Sequence, residues 1–259
     1  LDFALILVVL TAFAGVVWLV DMLLLAPRRR GAGRDGSALP EPAIVEYAKS
    51  FFPVLFIVLV LRSFLFEPFR IPSGSMMPTL LTGDFIFVNK FSYGLRLPVL
   101  NTKIVDIGEP DRGDVVVFRY PSDTSVNYIK RLVGLPGDVL DYEAVTKELR
   151  INGKPVENVY VGNYADQPST DLLTETLGEV EHSILHRRDG FGSGGEYVVP
   201  EGHYFFMGDN RDNSQDSRYS DVGFVPEELI VGKAEVIWMS WRTFSEGGPR
   251  WGRIGKSIE

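Results

Sequence analysis

Apolar residues run almost unbroken from Phe3 to Leu25, interrupted only by Thr11, Gly15 and Asp21. Wound as a helix at 1.5 Å per residue, such a run is long enough to cross a hydrocarbon core of roughly 30 Å. No small-residue cleavage site follows it, so a retained anchor is expected rather than a removed signal. A second apolar run extends from Tyr47 to Phe66, with Lys49 near its start and Arg62 near its finish. Those two cations and Glu67 can snorkel toward opposite faces of a bilayer, although a buried or interfacial helix is another reading of this segment. Between the runs lie Arg28, Arg29, Arg30 and Arg34 and a Gly/Pro/Ala-rich stretch from Gly31 to Pro42. By the positive-inside rule this connection is cytoplasmic, which puts both ends of a two-span chain on the other side. Phe64, Phe66 and Phe69 form an aromatic fringe suited to the interface.

After Pro68 the pattern changes to short apolar runs punctuated by Gly, Pro and Asp. Phe85–Val88, Val115–Phe118 and Val126–Val133 read as strands, as do Val139–Leu140, Leu149–Ile151, Tyr197–Val199, Tyr204–Met207 and Ile230–Ile237. The fold class is therefore mainly β: two N-terminal transmembrane helices, then a β-rich domain with a smaller β-rich extension. The expected boundaries are 1–26 and 47–67 for the spans, 27–46 for the loop, and 68–259 for the external domain with its extension at 141–196. Within the extension Val159–Val161 can form a strand, while much of the rest reads as polar and irregular. Gly190, Gly192 and Gly195 satisfy a GxGxxG spacing, but no strand-to-helix context surrounds them, so a loop is expected there and not a nucleotide site.

The formal charge of −8 leaves no basic surplus for neutralising phosphates, which argues against a nucleic-acid partner. The absence of cysteine removes disulfides, thiol nucleophiles and thiolate metal sites. His182 and His186, four apart, have the spacing for a metal on a helix but lack the glutamate of a zinc hydrolase, and a structural or surface role is expected. No metal and no cofactor is implied.

Candidate chemistry begins at Pro72-Ser73-Gly74-Ser75-Met76-Met77-Pro78, where Ser75 sits among small residues between two prolines. No Gly-x-Ser-x-Gly elbow is present, so a histidine triad is not indicated, whereas an amine base is chemically reasonable. Lys130 is the candidate base. A lysine titrating near ~10.4 would need about 3 kcal/mol of preference for its neutral form to reach about 8. Alternation along Val126, Tyr128, Lys130 and Leu132 puts Lys130 on an apolar face, with Asn127, Ile129, Arg131 and Val133 opposite. Spacing alone does not separate this pair from a turn serine and a salt-bridged lysine. The third segment, Gly208 to Arg218, concentrates Asp, Asn and Arg without EF-hand order, as expected of a rigid polar network.

In this order the three segments resemble the type I signal peptidase family, in its Gram-negative bacterial form. The likeness runs through Pro72–Leu80, Gly83–Gly94, Tyr128–Asp138 and Gly208–Pro226, with Trp251–Gly255 beyond. The resemblance implies a serine endopeptidase that removes signal peptides from translocated precursors after small residues. Ser75 would be the nucleophile, Lys130 the general base, and Ser73 with the Ser75 N–H the oxyanion hole. Ser214 would support the lysine, with Asp216, Arg218, Asp209 and Arg131 as the surrounding network. It also implies a two-pass inner-membrane protein with a periplasmic peptidase domain, working on lipid and beside the translocation machinery. Trp238 and Trp241 are candidates either for lipid approach or for the core. A non-cleaving two-span scaffold and a self-cleaving serine–lysine protease are the competing readings.

Overall fold

The computed structural model describes residues 3–29, 40–99, 102–190, 192–242 and 247–259. Most of the basic connection and one residue of the glycine triplet region, 191, lie outside the described residues. Two long helices come first, α1 (Phe3–Arg29) and α2 (Ala43–Leu65). Strands follow in order: β1 (Phe66–Arg70), β2 (Asp84–Asn89), β3 (Leu95–Arg96), β4 (Lys103–Val105), β5 (Val115–Tyr120) and β6 (Asp123–Gly134). Next are β7 (Val139–Tyr142), β8 (Leu149–Ile151), β9 (Lys154–Pro155), β10 (Glu157–Asn163), β11 (Thr170–Leu177) and β12 (Val180–Arg187). The series ends with β13 (Gly195–Val198), β14 (His203–Met207), β15 (Val225–Pro226), β16 (Ile230–Ser240) and β17 (Lys256–Ser257).

One unit comprises residues 1–66 and 95–104, and the other 67–94 and 105–259. In the first, α1 packs on α2. A Cβ at Gly15 would come within 2.8 Å of the Phe52 ring, so the glycine makes room for it, and Trp18 meets the same ring at 5.3 Å. Asp21 is wholly buried; Arg29 bonds it bidentately, and Lys49 of α2 lies 3.4 Å away. The outer faces carry exposed Val9, Phe13, Val16, Phe51, Val54 and Ile57. Such apolar surface suits lipid and would be unfavourable in water.

The second unit is built on a twisted sheet in the order β1-β2-β16-β5-β6-β14-β15, with β17 on β16. Its apolar runs are buried on both faces. Ile71, Met76, Leu80, Ile86, Val88 and Ile237 fill one side; Val116, Phe118, Leu132, Phe206 and Ile230 fill another. The extension holds two smaller sheets, β10-β11-β12 and β13-β7-β8-β9. In the first, β11 pairs β12 antiparallel without a break from Thr170↔Arg187 to Leu177↔Val180, and β10 pairs β11 with one bulge between Tyr160 and Gly162. The polar, irregular reading of this region is thus corrected. Its period was hidden because Glu175 and His182 occupy buried positions where alternation calls for apolar residues. His182 and His186 accordingly stand on a strand, about 13 Å apart along it, not one turn apart on a helix. Trp238 is exposed, its ring against Phe87 at 5.4 Å and Phe85 at 5.6 Å.

Candidate active site

Ser75 lies in the loop joining β1 to β2. Three loop residues, Ile71, Met76 and Leu80, are driven into the core, which leaves the intervening Ser73 and Ser75 little freedom. Backbone bonds close the loop: Ile71 N–H to Asp84 O at 2.8 Å, Gly83 N–H to Ile71 O at 2.9 Å, and Leu80 N–H to Met76 O at 2.8 Å. Gly83 has φ +89°, and a Cβ there would sit 2.2 Å from the Trp241 carbonyl oxygen, so only glycine fits. The buried Asp84 carboxylate gathers the ends, accepting from Leu81 N–H (2.8 Å), Ser240 Oγ (2.5 Å) and Arg253 Nη2 (2.6 Å).

Lys130 arrives from the middle of the sheet, where β6 pairs both β5 (Val116↔Lys130) and β14 (Phe206↔Leu132). Its Nζ is 2.7 Å from Ser75 Oγ, and the residue is 4% exposed. Burial disfavours the ammonium and pulls the lysine down to about 8, against the opposing pull of the Asp216 and Asp209 carboxylates; Arg218 adds to the lowering. About one amine in ten is then neutral at pH 7, against fewer than one in a thousand for a solvated lysine. The Tyr128 ring lies 5.3 Å from the same nitrogen.

Two buried ion pairs frame this amine. Arg131, fully buried, donates from Nε and Nη2 to Asp209 at 2.8 Å each and from Nη1 to the Gly113 carbonyl at 2.7 Å. Arg218 donates to both Asp216 oxygens at 2.8 Å, and Gly208 N–H donates to Asp216 at 2.9 Å. Burial alone would raise both carboxyls, but the guanidiniums more than offset it and hold them below the usual carboxylate range. The simple alternation expected for β6 is therefore corrected: Val126 is exposed, whereas Lys130, Arg131, Leu132 and Val133 are all buried. Both faces of the strand are covered at its far end, so the polar face closes around an ion pair instead of opening to water.

Ser73 Oγ is 3.5 Å from Ser75 Oγ. Ser214 is buried against Gly208, where a Cβ would come within 2.2 Å of its Oγ.

Several residues in the site were not singled out from sequence. Thr79 Oγ1 donates to Asp209. Asn210 donates from Nδ2 to the Gly74 carbonyl at 3.0 Å and from its backbone N–H to the Ser75 carbonyl at 3.1 Å. Arg211 makes a bidentate pair with Glu175, and Arg253 Nη2 also donates to the Thr79 carbonyl at 2.8 Å. Asn210 and Arg211 lay inside the polar segment already noticed, but nothing in the local pattern pointed to Glu175 or Asp84.

A serine hydroxyl touching a buried, easily neutralised lysine in a β-rich domain agrees with comparison to known proteins. The family described as "Signal peptidase, peptidase S26" matches residues 44–241. This chain belongs to that family. It is 54% identical over 265 residues to a signal peptidase I of Pseudomonas fluorescens, covering 93% of each chain. Against the Pseudomonas aeruginosa signal peptidase I the identity is 52% over 268 residues, again 93% of each. A Haemophilus influenzae signal peptidase I is 37% identical, over 92% of this chain and 86% of the relative. In this chain two membrane-length helices precede a β-rich domain.

Proposed function

We propose that Ser75 and Lys130 are the catalytic dyad of this membrane serine endopeptidase, which cleaves signal peptides from translocated precursors. The observation that carries the assignment is the 2.7 Å approach of Lys130 Nζ to Ser75 Oγ in a pocket that favours the neutral amine. Neutral Lys130 takes the proton of Ser75 as Oγ attacks the scissile carbonyl carbon. The oxyanion is met by the Ser73 hydroxyl and the Ser75 N–H, where one lost donor costs roughly 3 kcal/mol. Protonated Lys130 then donates to the departing amine, leaving an acyl group on Ser75, and finally activates water to release it. No metal or organic cofactor enters these steps.

Asp216, Arg218, Asp209 and Arg131 hold the walls of the pocket, and Ser214, packed beside Gly208, steadies Lys130 when the amine turns toward the substrate. The substrate strand binds extended along exposed strand edges, with small side chains at P1 and P3 entering shallow apolar pockets. The protein is two-pass in the bacterial inner membrane, with residues 68–259 on the periplasmic side beside the translocation machinery. The test compares wild type, Ser75→Ala and Lys130→Ala on a translocated precursor, with the mass of the released N-terminus measured. Loss of cleavage in both variants is expected; retained cleavage in both removes the dyad.

A further inference from the structure

The dyad's surroundings include a clamp that general-base chemistry does not require. A peptide unit is planar and trans, so its C=O and N–H point in opposite directions and turn together. The Gly74 carbonyl therefore belongs to the same rigid plane as the Ser75 N–H, the backbone donor assigned above to the oxyanion. Asn210, wholly buried, donates from Nδ2 to that carbonyl at 3.0 Å, while its own N–H holds the Ser75 carbonyl at 3.1 Å. Both peptide planes flanking Ser75 are thus fixed by one residue.

Asn210 is itself held from the other side, by the extension. Residues 209–211 lie along β12 like a short added strand, with a parallel bridge at Leu185↔Asn210. Leu185 N–H donates to Asp209 O at 2.8 Å, and Arg211 N–H to Leu185 O at 3.0 Å. Next in the chain, the buried Arg211 guanidinium makes its two bonds to Glu175 of β11, and His182 Nε2 of β12 lies 3.2 Å from Glu175 Oε1. The Asp212 carboxylate accepts from Arg187 N–H at 2.8 Å and Lys147 Nζ at 2.7 Å. A buried ion pair is a poor source of stability, because an apolar pair of like volume often does as well. What the bidentate pair does supply is a fixed position for the backbone that carries it.

We propose that Asn210 is a positioning residue that aims the Ser75 N–H at the oxyanion, and that the Glu175–Arg211 pair makes the β10–β12 extension the part that holds Asn210 in place. The inference rests on the assignment of Ser75 as nucleophile. It gives the extension a role in turnover, carried from β11 through Arg211 and Asn210 to the nucleophile loop.

The test uses the full chain in lipid or detergent, with kcat, KM and the pH–rate profile measured on a signal-peptide substrate. Asn210→Leu, which removes the donor without adding charge, should lower kcat by about ten- to a thousandfold, the range for a misaimed oxyanion donor, with KM within about threefold. The pH midpoint set by Lys130 should stay where it is in wild type. Glu175→Met with Arg211→Met replaces the pair by apolar packing; it should keep the wild-type melting temperature and still lose kcat. Wild-type kcat in Asn210→Leu, or in a folded double variant, would overturn the proposal, as would a loss expressed in KM or in a moved pH midpoint. Ser75→Ala separates the two levels. If it is inactive while Asn210→Leu is fully active, only the positioning role fails; if it still cleaves, the nucleophile assignment fails first.

Discussion

Lys130 should make the folded protein less stable than it could be, and replacing it with methionine should reveal by how much. The amine lies at about 8 in the folded chain, against an ordinary value near 10.5. The difference of about 2.5 units corresponds to about 3 kcal/mol. The sign follows from proton counting. Between about pH 8 and 10.5 the unfolded chain holds the proton and the folded chain does not, so stability rises with pH across that window. Below about 8 both states are protonated and the full penalty applies; above 10.5 both are neutral and it vanishes. Lys130→Met keeps the length of the stem, removes the charge and buries a thioether in a site that already excludes water. The variant should therefore be inactive, yet more stable by about 3 kcal/mol at pH 7, with the gain shrinking toward zero near pH 10.5. Urea unfolding of full-length protein in detergent, followed by tryptophan fluorescence at pH 7 and pH 10, measures this. A variant less stable than wild type at pH 7, or a gain equal at both pH values, would refute a desolvated lysine as the origin of the low titration point.

The same lysine predicts that kcat/KM climbs about tenfold per pH unit below a midpoint near 8 and levels off above it, read directly from a pH–rate profile. Arg131→Met strands the Asp209 carboxylate without its guanidinium and should cost about 3–5 kcal/mol in denaturant unfolding, far more than an exposed arginine would. Gly208→Ala forces a methyl to within 2.5 Å of the Ser75 carbonyl oxygen and 2.2 Å of Ser214 Oγ. It should abolish cleavage even where the folded fraction, judged by circular dichroism, is retained.

How much could be read beforehand depended on whether a segment's physics was local. The two spans were legible because membrane crossing leaves an unbroken apolar run: the helix Phe3–Arg29 covers the first run, and Ala43–Leu65 covers the second up to Phe66, which opens β1. The sheet strands were legible at Phe85–Val88 and Val115–Phe118, where short apolar runs stop at glycine and aspartate. The meeting of Ser75 with Lys130 was not local: spacing left it open, and only the resemblance to a family singled it out. Strands β11 and β12 failed for a different reason. Glu175 and His182 are inward-facing polar residues 3.2 Å apart, and Glu175 is paired with Arg211, 36 residues on, so neither period nor composition betrays them. Arg131 shows the same limit in reverse, since its burial becomes intelligible only once Asp209 is seen opposite it.

Arg253 reaches back to Asp84, and the two are separated by 169 positions in the chain. Contacts at such range form slowly and late, after the intervening polypeptide has collapsed and paid its loop-closure entropy. The far end of the nucleophile loop, at Thr79 and Asp84, is consequently tied down by a residue close to the other end of the β-rich domain. A chain truncated before residue 247 lacks those Arg253 contacts to Asp84 and the Thr79 carbonyl and is expected to lose cleavage, which a processing assay on the truncated protein checks.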